Sequence, residues 1–185
     1  MYQVMVVDDE PMAASLIVNI IKQNYNKFEI MGTAYNGEEA LELIQEKGEP
    51  DILITDIQMP VMNGLKLVEE TKKQYPNVIS VIVSGYQEFE YAKQAIAFGV
   101  CDYILKPIVP SEFSKLITRI EEKLKQKYYK ERNTLIHKMV NEIPVDEKTL
   151  RRYFQSECYY GAIVRLNGLP SRYGERGKKE VFSDI

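Results

Sequence analysis

Five short apolar runs alternate with stretches of helical period through the first 110 residues. The runs are Val4-Met5-Val6-Val7, Phe28 to Ala34, Ile52-Leu53-Ile54, Ile79 to Val83 and Tyr103-Ile104-Leu105. Four of them are nearly unbroken, as expected of a parallel strand covered by helices on both faces, where neither side meets water. The second, Phe28-Glu29-Ile30-Met31-Gly32-Thr33, is interrupted by polar residues at every second or third position, which predicts a strand at the sheet edge with one less-buried face.

Between the runs, Met12, Leu16, Ile17, Ile20 and Ile21 mark one helical face, and Ala40, Leu41, Leu43 and Ile44 a second. Leu65 with Val68, and Phe89 with Ala92, Ala95 and Ile96, mark two more. Asn36 is placed to cap a helix with Glu39 at its third position, and Gly48 and Gly99 follow helices as stops. The alternation predicts an α/β fold of the flavodoxin-like (βα)5 type. Its doubly wound parallel sheet has the order 2-1-3-4-5, with the second strand at an edge.

A fifth helix opens after Pro110, with Ser111 as its predicted cap. No glycine or proline then occurs until Pro144, so the helix has room to extend about 50 Å at 1.5 Å per residue. Phe113, Ile117, Ile120 and Leu124 follow helical spacing, as do Tyr128, Leu135 and Met139 less regularly, with the charged stretch 125–132 between them. A solvated linker helix and a dimerising coiled coil both fit this pattern. After Pro144, residues 145–155 read as a short helix and 159–166 as a strand, too little to bury a core alone. The expected division is a first domain over 1–125, a helical linker over 126–143, and the beginning of an incomplete second domain over 144–185.

Charge sharpens this division. Residues 1–110 carry 16 acids against 8 lysines and no arginine, a net of −8, whereas residues 111–185 carry 11 acids against 16 basic residues, a net of +5. The acidic first part argues against phosphate-backbone contacts there, since these need a basic surface. The basic residues of the second part read as solvating a helix and a loop. No apolar run reaches the roughly 18 residues of a membrane span, and Met1-Tyr2-Gln3 lacks the layout of a signal peptide, so a cytoplasmic protein without a membrane partner is expected. Cys101, Cys158 and the single His137 cannot supply a four-ligand zinc site.

Ligands of open α/β sheets bind beyond the carboxyl ends of the strands. The polar residues there are Asp8 and Asp9 after the first strand, Asp56 after the third, Ser84 after the fourth and Lys106 after the fifth. Three carboxylates in one crevice repel one another unless a hard divalent cation such as Mg2+ joins them. A lysine and a hydroxyl beside them suit the spread negative charge of a phosphoryl group.

Four stretches, each at the matching strand end, strengthen this reading. They are Val6-Val7-Asp8-Asp9-Glu10-Pro11, Ile54-Thr55-Asp56-Ile57-Gln58-Met59-Pro60 followed by Asn63-Gly64, Val83-Ser84-Gly85-Tyr86, and Asp102-Tyr103-Ile104-Leu105-Lys106-Pro107. Over residues 2–125 the chain resembles the receiver domain of two-component response regulators. The resemblance implies a regulator, not an enzyme, that catalyses only its own phosphorylation on Asp56 and a slow dephosphorylation. It further implies direct Mg2+ binding by Asp9, Asp56 and the backbone carbonyl of Gln58, with Asp8 acting through water.

Lys106 and Ser84 are implied to contact the phosphate, Tyr103 to turn inward after Ser84 moves, and Gln58 with Tyr86 to govern phosphate lifetime. Residues 84–96 further resemble the YesN subgroup, in which a receiver and linker precede an AraC/XylS-type DNA-binding domain that is absent from this sequence. The implied partners are a sensor histidine kinase and a second copy, paired through the fourth helix, fifth strand and fifth helix or through the linker. DNA is reached only through the missing output domain.

Other classes compete. A stand-alone receiver acting through protein contacts remains open, though the extension past residue 125 argues against it. An aspartyl-phosphate hydrolase places a second acid two residues after the nucleophile, where this chain has Gln58. A flavin domain of this fold needs a hydroxyl-rich phosphate loop, and Asp8-Asp9-Glu10 repels such a phosphate.

Overall fold

A computed structural model of the chain describes residues 1–85 and 89–154, with the side chains of residues 89, 90 and 92 outside the description. The strand expected over 159–166, the tail over 167–185, Cys158, Tyr86 and the apolar side chains of Phe89 and Ala92 all lie outside the described residues.

The strands are β1 (Tyr2–Val7), β2 (Phe28–Ala34), β3 (Ile52–Thr55), β4 (Ile79–Ser84) and β5 (Asp102–Leu105). The helices are α1 (Pro11–Asn24), α2 (Gly37–Lys47), α3 (Gly64–Gln74), α4 (Phe89–Ala97), α5 (Pro110–Val140) and α6 (Glu147–Tyr153). The sheet is parallel throughout and ordered β2-β1-β3-β4-β5, as the alternation predicts. Its middle strands β1, β3 and β4 are almost wholly buried, and β2 shows the half-exposed pattern of an edge. The fifth run, read as continuous apolar sequence, is the other edge: of β5 only Ile104 is buried, and Leu105 is partly exposed.

Period-2 alternation sends Met5, Val7 and Leu53 into one core layer with Ala40, Ile44, Leu67 and Val68 of α2 and α3. Beside it Ile82 packs with Ile57, Leu65 and Ala95. Val4, Val6, Ile52 and Ile54 alternate to the opposite face, and Ala14, Ile17 and Ile21 of α1 and Phe113, Leu116, Ile117 and Ile120 of α5 are buried as well. Each buried Val, Leu, Ile, Phe or Met side chain among them contributes about 1.5–3 kcal/mol by leaving water.

Two helical faces differ from expectation. In α1 the buried stripe is Ala14, Ile17 and Ile21, while Met12 is 86% exposed and Leu16 49%. In α4 Ala95 is buried but Ile96 is 77% exposed. An apolar arc wider than the contact surface cannot all be covered, and small Ala14 lets α1 approach the sheet more closely than Met12 does.

Asn36 caps α2 as expected, its side chain accepting from the Glu39 amide at 3.0 Å, and the Glu39 carboxylate accepts from the Tyr35 amide at 2.7 Å. Gly48 and Gly99 follow α2 and α4 with φ of 103° and 73°, the left-handed region that suits glycine at a helix end. At the edge strand the pairing with β1 passes from Ile30 to Gly32, and the bypassed Met31 offers its carbonyl to Lys47 Nζ at 3.1 Å.

Helix α5 begins one residue before its predicted cap. Pro110 occupies the first helical position, where its missing N–H and preset φ cost nothing, and the Val109 carbonyl accepts from the Phe113 amide at 3.0 Å. Ser111 therefore lies inside the first turn. The helix ends with Glu142 at φ 57°, the Ile143 amide donating to the Lys138 carbonyl and the Glu142 amide to the Met139 carbonyl, ahead of Pro144.

The chain divides into two compact units, with the boundary between Glu121 and Glu122. In the second unit Asp146 caps α6 by accepting from the Thr149 amide at 2.8 Å, so that helix starts two residues later than expected and ends at Tyr153. The Tyr128 and Tyr153 rings meet there at 4.9 Å. Among the described residues no helix is long and apolar enough to cross a membrane.

Candidate functional site

The ladder register brings the predicted residues together at one end of the sheet. Val7 pairs with Thr55, and the Asp56 amide continues the ladder by donating to the Val7 carbonyl at 2.9 Å, which sets Asp8 level with Asp56. Ser84 pairs with Leu105, and the Lys106 amide donates to the Ser84 carbonyl at 2.8 Å. Asp8, Asp56, Ser84 and Lys106 thus sit one residue past, or at the tip of, four adjacent strands.

Lys106 Nζ lies 2.8 Å from Asp56 Oδ2 and 2.9 Å from Asp8 Oδ2. It donates a hydrogen bond to Asp56 and stands at ion-pair distance from Asp8 without the alignment of a second one. Asp8 is buried, with Oδ1 accepting from the Glu10 amide at 3.0 Å. Burial pushes its carboxyl above the ordinary value, against the opposing pull of Lys106 and the Glu10 amide. For Lys106, burial works to lower the pKa, but the hydrogen bond to Asp56 and the ion pair with Asp8 outweigh it and hold the ammonium above its usual value.

Asp9 is exposed, and one carboxylate oxygen from each of Asp8, Asp9 and Asp56 falls within 4.8 Å of the others. This all-oxygen, partly open donor set has the chemistry that Mg2+ takes while retaining water. The buried Asp8 Oδ2, aligned with no donor, is an oxygen such a cation satisfies.

Ser84 is fully buried, Tyr103 is half-buried on β5, and Gln58 is exposed just beyond Asp56. Tyr86 lies outside the described residues. The Lys106–Pro107 peptide is cis. His137 is exposed on α5.

Three features of the site were not singled out by residue type. The Ile57 amide donates to Asp56 Oδ1 at 2.5 Å, and Thr55 Oγ1 donates to the Asp56 carbonyl at 2.8 Å, so both ends of Asp56 are oriented. Gly64 opens α3 against Asp56 so closely that a β-carbon there would lie 1.8 Å from the Asp56 carbonyl oxygen. Val61 holds φ 64° in the intervening loop. The Asn63-Gly64 pair is visible in sequence as a turn signal, but the same pair is common in ordinary turns.

Comparison with known proteins agrees with this geometry. Residues 4–119 match the response regulator receiver domain. The chain is 37% identical over 126 residues to the uncharacterized transcriptional regulatory protein YesN of Bacillus subtilis (strain 168), covering 68% of this chain and 34% of that protein. To the transcriptional regulatory protein HptR of Staphylococcus aureus (strain NCTC 8325 / PS 47) it is 38% identical over 120 residues, covering 65% of this chain and 46% of that one. The chain therefore spans less than half the length of either relative.

The solved REC domain of AraT, a response regulator from Geobacillus stearothermophilus, superposes with a TM-score of 0.63 at 36% identity, covering 68% of this chain and 97% of that one. A LuxR-family DNA-binding response regulator from Staphylococcus aureus gives 0.60 at 30%, covering 65% and 98%. With the sheet order, the acid cluster at the strand ends and a family match over well more than half its length, the chain belongs to the response regulator receiver domain family.

Proposed function

We propose that this chain is the phosphoacceptor module of a two-component signalling system and that Asp56 is the acceptor. The observation that carries the reading is the Lys106 ammonium set between Asp56 and Asp8, at 2.8 and 2.9 Å, beside the exposed Asp9. An Asp56 carboxylate oxygen attacks the phosphorus of a histidine-bound or small-molecule phosphodonor. The P–N or P–O bond to the donor breaks, and the leaving group keeps the electron pair and takes a proton from water. Lys106 then pairs with the phosphoryl oxygens, and the Ser84 hydroxyl hydrogen-bonds to one of them.

Asp9, Asp56 and the Gln58 carbonyl would hold Mg2+ directly, and Asp8 would act on it through water. A bound Mg2+ supplies the charge neutralisation that lets an anionic phosphoryl group approach a carboxylate. Gln58 and Tyr86 limit water access and so set the lifetime of the phosphoryl group.

Phosphorylation adds about one negative charge to the site, and Ser84 and Tyr103 convert it into a change of the surface formed by α4, β5 and α5. The donor is a sensor histidine kinase. The module works in the cytoplasm and pairs with a second copy through that surface or the later part of α5. The parent protein is a transcriptional regulator, in keeping with the two relatives, and meets DNA through an output domain.

The test is intact-mass analysis of the chain treated with acetyl phosphate. One phosphoryl group is expected with Mg2+ and none with EDTA or in Asp56→Asn, and wild-type incorporation in Asp56→Asn overturns the assignment. Beryllofluoride is expected to increase self-association in light scattering, with no sequence-selective DNA binding by residues 1–185 in either state.

A further inference from the structure

Among the described residues, only Val61 and Glu142 combine a side chain with a positive φ, and Val61, at 64°, is β-branched. The Met62 amide donates to the Pro60 carbonyl at 2.7 Å, so residues 60–62 close a three-residue turn about Val61. Such a turn with a positive central φ is rare and strained, and β-branched residues suit it badly. Packing does not offset the strain, because Val61 is 75% exposed.

The constraint comes from both sides of the turn. The Gly64 amide donates to the Ile57 carbonyl at 2.9 Å, and the Gly37 amide donates to the Met62 carbonyl at 3.0 Å. A β-carbon on Gly37 would meet the Met62 side chain at 2.7 Å, so the two residues approach closely on that flank. Between these ties stand Ile57, bonded to the Asp56 carboxylate, and Gln58 next to it. Strain of this kind persists where the surroundings over-determine it and tends to collect at functional sites.

We infer that Val61 is a positioning residue for the acceptor site: its tight turn shortens the 57–63 loop so that the Gln58 carbonyl is fixed beside the carboxylates of Asp8, Asp9 and Asp56 before a cation arrives. The inference rests on reading those carboxylates as a Mg2+ site. Fixing a ligand group in advance removes its ordering cost from binding. The strained turn is the structural expense of that order.

The test uses the full chain, with calorimetric titration of MgCl2 and thermal unfolding in EDTA. Asparagine tolerates positive φ, so Val61→Asn keeps the turn, with unchanged Mg2+ affinity and an equal or higher unfolding temperature. Proline fixes φ near −65° and opens the turn. Val61→Pro is expected to weaken Mg2+ binding about tenfold or more, the scale seen when groups that orient metal ligands are lost. Equal Mg2+ affinity in wild type and Val61→Pro overturns the positioning role and leaves the site reading standing. Absence of Mg2+ binding by wild type overturns the site reading itself, and this inference with it. Should Val61→Pro fail to fold by circular dichroism, one glycine inserted between Val61 and Met62 breaks the same turn, and unchanged affinity there is equally decisive against the proposal.

Discussion

Gly64 begins its helix in direct apposition to the backbone carbonyl of Asp56, with 1.8 Å between that oxygen and the place a β-carbon would take. Asp56 and the start of α3 are therefore a single packed unit. Gly64→Ala must move backbone on one side or the other, which typically costs about 1–3 kcal/mol and here belongs at the upper end. Urea unfolding should show a lower midpoint, with a fall in melting temperature of roughly 6–12 °C. Gly85→Ala, where the β-carbon meets nothing within 4 Å among the described residues, is the matched control and should stay within about 0.5 kcal/mol of wild type.

Asp8 is buried, and burial raises its carboxyl despite the opposing pull of Lys106 and the Glu10 amide. A folded pKa above the unfolded one means that stability held at low pH is lost as pH rises from the ordinary carboxylate value of 3.8 through the folded value. At neutral pH the cation-free protein thus carries a penalty at this position. Asp8→Asn should unfold about 2–4 °C higher than wild type in EDTA, the equivalent of about 1 kcal/mol, yet gain less from added Mg2+. Melting curves with and without Mg2+ read both effects, and a mutant less stable than wild type in EDTA contradicts the argument.

Lys106 lies against the carboxylates of Asp8 and Asp56, which a cation held in the acid cluster would also use. Replacing it with methionine leaves those acids facing each other, which should lower stability in EDTA by about 2 kcal/mol for a pair only partly buried. The same change should tighten Mg2+ binding severalfold. Titration calorimetry that shows weaker binding in Lys106→Met would mean that the lysine supports the cation site and does not compete with it.

On the outer face of α3 the Glu69 carboxylate accepts from Lys73 and then Lys66, and these bonds lower its pKa from 4.5 to about 2. A lowered folded pKa gives stability that is present above pH 4.5 and lost as pH falls through about 2. The group lies at the helix surface, open to solvent on one side, so the gain is small and screened by salt. Carboxyl carbon shifts in NMR should place the Glu69 midpoint below that of an isolated glutamate, and 1 M salt (Debye length about 3 Å) should draw it back upward.

The sheet was legible because each buried strand is a continuous apolar run that stops at a polar residue. The run Val4–Val7 ends at Asp8, and the run Ile52–Ile54 ends one residue before Asp56, so the boundary lies at or beside both a strand end and a candidate ligand. Helical faces were less legible. Met12 and Leu16 share spacing with buried residues, but period alone does not say which part of a broad apolar arc meets the sheet, and α1 turns Ala14, Ile17 and Ile21 inward. Pro110 and Ser111 both signal a helix start, and the proline took the first position. The closeness of Gly64 to Asp56 depends on how the loop between them is folded, a three-dimensional relation that residue type does not encode.

The ion-like bond from Lys47 to the bypassed Met31 carbonyl lies on the outermost strand of the sheet. An open strand margin is a template on which a foreign strand can add by backbone pairing, and a bulge filled by a charged side chain removes one rung of that template. Glu29 and Thr33, both exposed on the same strand, make the margin still less receptive. A five-stranded sheet that ends in this way is protected against edge-to-edge aggregation while it is being made and crowded by its own copies. That safeguard draws on a lysine at the end of α2, an element apart from the strand it guards.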